Sequence, residues 1–152
     1  MTYLPFRKSS DKNMGRILAI DYGQKRVGIA ATDPGQIIAN AVTTVHSKDI
    51  FKFLKEYMER EDVECIVVGE PKQMNNRNSE AERFIEPFVR KLRKIFTGIK
   101  IDRFDERFTS KMAFQSMIDA GLKKKDRQNK ELVDSISATL ILQSYMESKK
   151  GF

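Results

Sequence analysis

The chain has 152 residues, 40% of them apolar, which is enough for one domain with a real core and too few for two large lobes. A net charge of +7 and a pI of about 9.5 favour an anionic partner such as nucleic acid over an acidic small molecule. No stretch approaches a membrane span, and a single cysteine, Cys65, excludes an intrachain disulfide and a cysteine metal cluster and suits a reducing, intracellular setting.

Residues 1–13 are polar and basic without the apolar centre of a secretory signal, so they read as a poorly ordered leader or extension, with Met14 as an alternative start. A single domain is expected over 14–148 and a short tail over 149–152. The run Ile17-Leu18-Ala19-Ile20 is too short for a helix and leads into Asp21, Tyr22 and Gly23, which predicts a buried strand over 16–21 with Asp21 at its tip. Val27 to Thr32 predicts the returning strand of a hairpin. Gly23 falls in its turn and Gly28 just inside the second strand, and neither has a Cβ to keep backbone or ligand away. Asp33-Pro34-Gly35 marks a turn, and Ile37 to Val45 predicts a third strand. Ser47 is the expected N-cap of a helix whose apolar positions Ile50, Phe51, Phe53, Leu54, Tyr57 and Met58 recur at helical spacing up to Arg60.

Val63 to Gly69 has the unbroken apolar middle of a strand covered on both faces. After Glu70-Pro71 comes a polar loop, and Ser79 with Glu82 forms an expected capping box opening a helix to about Phe96, with a kink or break at Pro87. Ile99 to Phe104 predicts a fifth strand, ending in Asp105-Glu106-Arg107. Thr109 is placed to cap a helix to Ala120 that stops at Gly121, and Leu122 to Lys130 is a basic connector. The last helix runs from Glu131 to about Ser148. In it Asp134 shares a stripe with Ala138 and Ile141, on a side that faces protein. A meander followed by alternating units predicts an α/β protein: a mixed five-stranded sheet, antiparallel first and parallel after, flanked by helices.

Three acids therefore stand at the ends of elements: Asp21, Glu106 and Asp134. A carboxylate at the end of a buried strand is costly to desolvate unless a cation or hydrogen-bond donors meet it. Hard oxygen donors suit Mg²⁺ or Mn²⁺, and such ions activate water and neutralise a leaving oxygen in phosphodiester hydrolysis. Each acid also has an ordinary reading. Asp21 caps a turn, Glu106 pairs with Arg103 or Arg107, and Asp134 is an acid stabilised near a helix N-terminus.

Taken together, Asp21-Tyr22-Gly23 with Gly28, Val68-Gly69-Glu70-Pro71, Asp105-Glu106-Arg107-Phe108-Thr109, and Asn129-Lys130 followed by Val133-Asp134-Ser135 and Ala138 resemble the YqgF/RuvX family, in the right order and from Met14 to Tyr145. The resemblance implies an RNase H-like fold related to Holliday-junction resolvases, metal-binding catalytic acids at Asp21, Glu106 and Asp134, and Mg²⁺ or Mn²⁺ as cofactor. It further implies a cytoplasmic nuclease processing the 5′ end of pre-16S rRNA, or, on an older assignment, a resolvase acting on branched DNA. Two positions depart from the family pattern. Glu70 stands where leucine is common and is a candidate extra ligand, and Glu131 stands where glycine is usual.

Lys123, Lys124, Lys125, Arg127 and Lys130 form a positive run leading into Asp134, suited to phosphates or simply to solvent. Lys25, Arg26 and Arg107 are similarly placed for phosphate oxygens, although Arg107 equally suits a salt bridge. His46 is given no role. Met112, Met117 and Met146 read as core or, if exposed, as a dimer seam, so a monomer or weak homodimer without membrane contact is expected. Two other function classes compete with a nuclease: an actin-like ATPase, from the spacing of Asp21, Gly23 and Gly28, and a non-catalytic RNA-binding module. The ATPase would need a second lobe, which the length does not provide.

Overall fold

A computed structural model describes residues 15–71, 80–109 and 130–150. Its strands are β1 (Arg16–Tyr22), β2 (Arg26–Thr32), β3 (Ala39–His46), β4 (Val63–Glu70) and β5 (Lys100–Asp105), and its helices are α1 (Ile50–Arg60), α2 (Glu82–Ile95) and α3 (Lys130–Lys149). The sheet order is β3-β2-β1-β4-β5. The β1/β2 and β2/β3 pairs are antiparallel and the β1/β4 and β4/β5 pairs parallel, as the expected meander followed by crossover units requires.

Side-chain alternation sorts the core into two layers. Leu18, Ile20, Val27, Ile29, Ile66 and Val68 face α1 and α2, which contribute Leu54, Met58, Phe88, Val89 and Leu92. Ile17, Ala19, Ala30, Cys65 and Val67 face the other way, onto Ala138, Ile141, Leu142 and Tyr145 of α3. With both faces of β1 and β4 buried, their apolar runs have no polar gap. Tyr22 continues the first face and stacks on Phe88 with ring centroids 4.2 Å apart. At the far end of α3, the Tyr145 hydroxyl donates to Asp102 at 2.8 Å and lies 3.8 Å from the Cys65 sulfur.

Several local expectations give way to tertiary bonds. β3 starts at Ala39 because the Ile37 and Ile38 amides donate to the Asp33 carboxylate, both at 2.7 Å, and are lost to the ladder. Ser47 does not cap α1. A 3-10 turn, Ser47–Asp49, comes first, the Ser47 hydroxyl donates to the Gln24 carbonyl, and His46 accepts from the Lys48 amide at 3.1 Å. The helix α2 begins after Ala81, and the Glu82 carboxylate goes to Arg103 instead of back to a capping position; Ser79 lies outside the described residues. Pro87 interrupts nothing, since α2 runs continuously through it. Thr109 closes the 3-10 turn Glu106–Phe108 by donating its hydroxyl to the Glu106 carbonyl at 2.7 Å. The helix expected after Thr109, the basic connector and the leader lie outside the described residues. No helix of the described residues is long and apolar enough to cross a membrane.

The closest fit of helix to sheet is at Gly28, where an added Cβ would lie 2.0 Å from the Asp134 carbonyl oxygen and 3.0 Å from the Ser135 amide. Backbone occupies that space, so Gly28→Ala is expected to lift the start of α3 from β2 and to lower stability by about 1–3 kcal/mol in urea unfolding. An unchanged midpoint would mean that α3 is not seated there.

Candidate active site

Asp21 is on the α3 face of β1, the next position of that face after Ile17 and Ala19. Its cross-strand partner on β2 is Gly28. On β4 the pairing Ile20↔Val68 puts Gly69 at the following level on the other side. Asp21 thus lies between two positions that lack a side chain, at the end of the sheet where β1, β4 and β5 finish.

Both glycines are covered by the other two acids. Over Gly28 runs the Asp134 backbone, and over Gly69 lies the Glu106 side chain, whose Cδ would be 3.1 Å from an added Cβ, with Ile141 of α3 at 2.8 Å. Glu106 reaches that place through local structure. Asp105 accepts from the Arg107 amide at 3.0 Å and starts the 3-10 turn, so the chain rotates just past β5. Arg107 turns back on Asp105, Nη2 to Oδ2 at 2.6 Å, and it is Glu106 that lies over the sheet.

The electrostatics follow from this crowding. Burial, and then the neighbouring Asp134 charge, push the Asp21 carboxyl up from 3.8 to about 6. Burial and then Asp21 push Glu106 up from 4.5 to about 7, against a lowering contribution from Arg103. These are acids held where their charge is poorly solvated and repelled by like charge, an arrangement common at functional sites. Asp134 has a partner: Arg26 Nε lies 2.8 Å from its Oδ2. Among the described residues, no group of three or more His, Cys, Asp and Glu is drawn together closely enough to hold a metal as it stands. The donor set nonetheless fits a hard divalent cation. It consists of carboxylates only, two of them destabilised as anions, and Cys65 and His46 lie elsewhere in the fold.

The other expected site residues scatter. Glu70, at the end of β4, is 3.9 Å from Arg103. Lys25 is exposed in the β1/β2 turn, and the Gly23 amide donates to the Arg26 carbonyl at 3.0 Å to close that turn. Lys123, Lys124, Lys125 and Arg127 lie outside the described residues, as does the side chain of Lys130. Arg103, expected as a surface partner of Glu106, is more central. Its guanidinium binds both oxygens of Glu82 at 2.7 and 3.1 Å, Glu86 at 3.2 Å, and the carbonyls of Val68 and Gly69 at 3.2 and 3.1 Å. The signal for it in the sequence is the acidic pair Glu82 and Glu86, four apart on one helix face.

A five-stranded sheet in this order, carrying carboxylates on one face at the end where β1 and β5 finish, defines an RNase H-like protein. The model of one protein family, described as "RuvX: Holliday junction resolvase", matches residues 15–148, and the chain belongs to that family. It is 62% identical over 137 residues to a protein of Phocaeicola vulgatus, covering 90% of this chain and 99% of the relative. Over 136 residues it is 59% identical to one of Flavobacterium psychrophilum, with the same coverage of 90% and 99%. Over 137 residues it is 57% identical to one of Bacteroides fragilis, again covering 90% and 99%. All three relatives carry the name "Putative pre-16S rRNA nuclease".

The raised carboxyls make stability depend on pH with a defined sign. At low pH Asp21 and Glu106 are protonated in both the folded and the unfolded chain. As pH rises through about 6 and about 7, the folded chain must ionise groups that the unfolded chain ionises more easily, so their contribution to stability is lost. The metal-free protein is expected to be more stable near about pH 5 than near about pH 8, by about 1–3 kcal/mol, with Asp21→Asn flattening the difference. Thermal unfolding in chelator at both pH values measures it, and a protein more stable on the alkaline side would contradict the electrostatic picture.

Proposed function

We propose that this chain is a divalent-cation-dependent nuclease whose catalytic acids are Asp21, Glu106 and Asp134, acting on the precursor of small-subunit ribosomal RNA in the cytoplasm. The observation that carries the reading is the crowding of Asp21 against both Glu106 and Asp134, which raises its carboxyl and that of Glu106 and leaves a deficit of positive charge where a cation would bind. Mg²⁺ or Mn²⁺ held there would supply a water of lowered pKa and a counter-charge for the leaving oxygen. The chain's own residues do the rest. Gly28 and Gly69 leave room beside Asp21 for the Asp134 main chain and the Glu106 side chain, and the turn that starts at Asp105 presents Glu106. Arg103 fixes the end of β4 beneath Glu106 through the Val68 and Gly69 carbonyls. Glu70, beside Arg103, belongs to that supporting network in this reading and is not the fourth ligand.

The choice of RNA rests on the names of relatives 57–62% identical over most of their length. The family description favours a second substrate, a four-way DNA junction. The net charge of +7 suits either, since phosphate contacts carry no sequence information. A monomer suffices for the proposed chemistry, because all three acids come from one chain.

Offering precursor ribosomal RNA and a four-way DNA junction side by side, with Mg²⁺, with Mn²⁺ and with chelator, tests the assignment. Cleavage of the RNA only with a divalent ion is the expected result. Loss of a residue that merely supports a metal ligand typically costs 10–100-fold, so Asp21→Asn and Asp134→Asn are expected to lower the rate by more than about a hundredfold. Variants that cut as fast as the parent would remove the catalytic assignment, and tight RNA binding without turnover in any metal would make the protein a binding module.

A further inference from the structure

The β1/β2 turn was expected to offer its arginine to a phosphate, yet that arginine is turned onto one of the three acids. We propose that Arg26 is an exchangeable counter-ion. It holds Asp134 while no divalent cation is present, yields that carboxylate when the cation enters, and then turns its guanidinium to a phosphate of the substrate. The proposal rests on the nuclease reading and adds to it a residue that couples cation binding to substrate binding.

Four observations support the exchange. Arg26 and Asp134 meet through Nε at 2.8 Å, and the arginine side chain is 42% exposed, so the pair is open to solvent and to exchange of partners. Its backbone cannot follow. The Gly23 amide bonds the Arg26 carbonyl at 3.0 Å, and a Cβ on Gly23 would lie 2.7 Å from that oxygen, so the turn is closed tightly under a long side chain. Asp134 is equally fixed at its main chain by the contact with Gly28. Two rigid anchors with one movable head group make a switch of side chain alone.

Two other described arginines at this end are engaged differently. Arg107 binds Asp105 through Nε and Nη2, and Arg103 is bound to Glu82, Glu86 and two carbonyls. Of these three, Arg26 is the one whose partner is a proposed cation ligand. The exchange is also of the right size. A half-exposed ion pair shifts an equilibrium by no more than about fivefold, which a divalent ion drawing on several carboxylates overcomes. A freed guanidinium presents parallel N–H donors that match a phosphate better than an ammonium does.

The test uses the full chain and Mn²⁺ as probe. Calorimetric titration of Mn²⁺ is compared for the parent, Arg26→Gln, Arg26→Lys and Lys25→Gln, the last removing one charge from the same turn without touching Asp134. A short fluorescent single-stranded RNA is then mixed with each protein in a stopped flow, with and without Mn²⁺, and read before cleavage. Loss of the competing pair is expected to tighten Mn²⁺ binding by Arg26→Gln about threefold, clearly more than Lys25→Gln does. The same variant is expected to bind RNA several-fold more weakly in Mn²⁺ and little differently in chelator. Arg26→Lys, which keeps charge and stem, should fall between and guards against a folding failure of the glutamine variant. If the parent binds Mn²⁺ and Arg26→Gln binds it no more tightly, or binds it more tightly with RNA affinity in Mn²⁺ unchanged, the exchange is wrong and the nuclease reading stands. If the parent takes up no Mn²⁺, both fall.

Discussion

The constraint from which the rest follows is the placement of a carboxylate between two glycines on one level of a sheet. Asp21 has Gly28 across the hairpin on one side and Gly69 beside it on β4. Each missing side chain admits something else: the main chain of α3 at Asp134 in one case and the side chain of Glu106 in the other. Without those two vacant Cβ positions, Asp134 and Glu106, both distant in the chain from Asp21, would be held off by a methyl group or more. The cost is that carboxylates share a poorly solvated space, which the displaced titration of Asp21 and Glu106 records.

Such repulsion persists only on a frame stable enough to bear it. On the far side of the sheet Leu18, Ile20, Ile66 and Val68 are buried with Leu54, Val89 and Leu92, and Tyr22 is pinned to Phe88 directly after Asp21 in the chain. The same alternation that packs Tyr22 on one side turns Asp21 to the other. Arg103 closes the remaining open edge by tying α2 to the end of β4. A single guanidinium with acceptors from a helix and a strand is well suited to this, because its donors point in fixed directions. The acids therefore sit on a central strand, a tight turn and a packed helix, with arginines as the supporting charges.

Those arginines divide by exposure. Arg103 is nearly buried, with 14% of its side chain exposed, and its bonds are architectural. Arg26, three times as exposed, has among the described residues a single acidic partner within salt-bridge distance, Asp134, and a fixed backbone. Burial separates the two charges: moving the first would leave two glutamates and two carbonyls without their donor, whereas moving the second would leave, among the described residues, Asp134, for which the proposed cation would substitute.

Much of this was legible in the residues. Strand alternation, helix periodicity and the glycines of the hairpin gave five strands, their mixed direction and the flanking helices, because these depend on local pattern and on burial. Their places at the ends of predicted elements made Asp21, Glu106 and Asp134 candidates, and the family resemblance implied their role as metal ligands. Tertiary structure alone decided the bonding partners. Asp33 takes the amides that would have lengthened β3, Glu82 goes to Arg103 instead of a cap, and Arg26 goes to Asp134. Each is a contest between a local bond and a distant one of similar strength. Such contests are settled by which groups the packed sheet brings within 3 Å, and spacing along the chain carries no information about that distance.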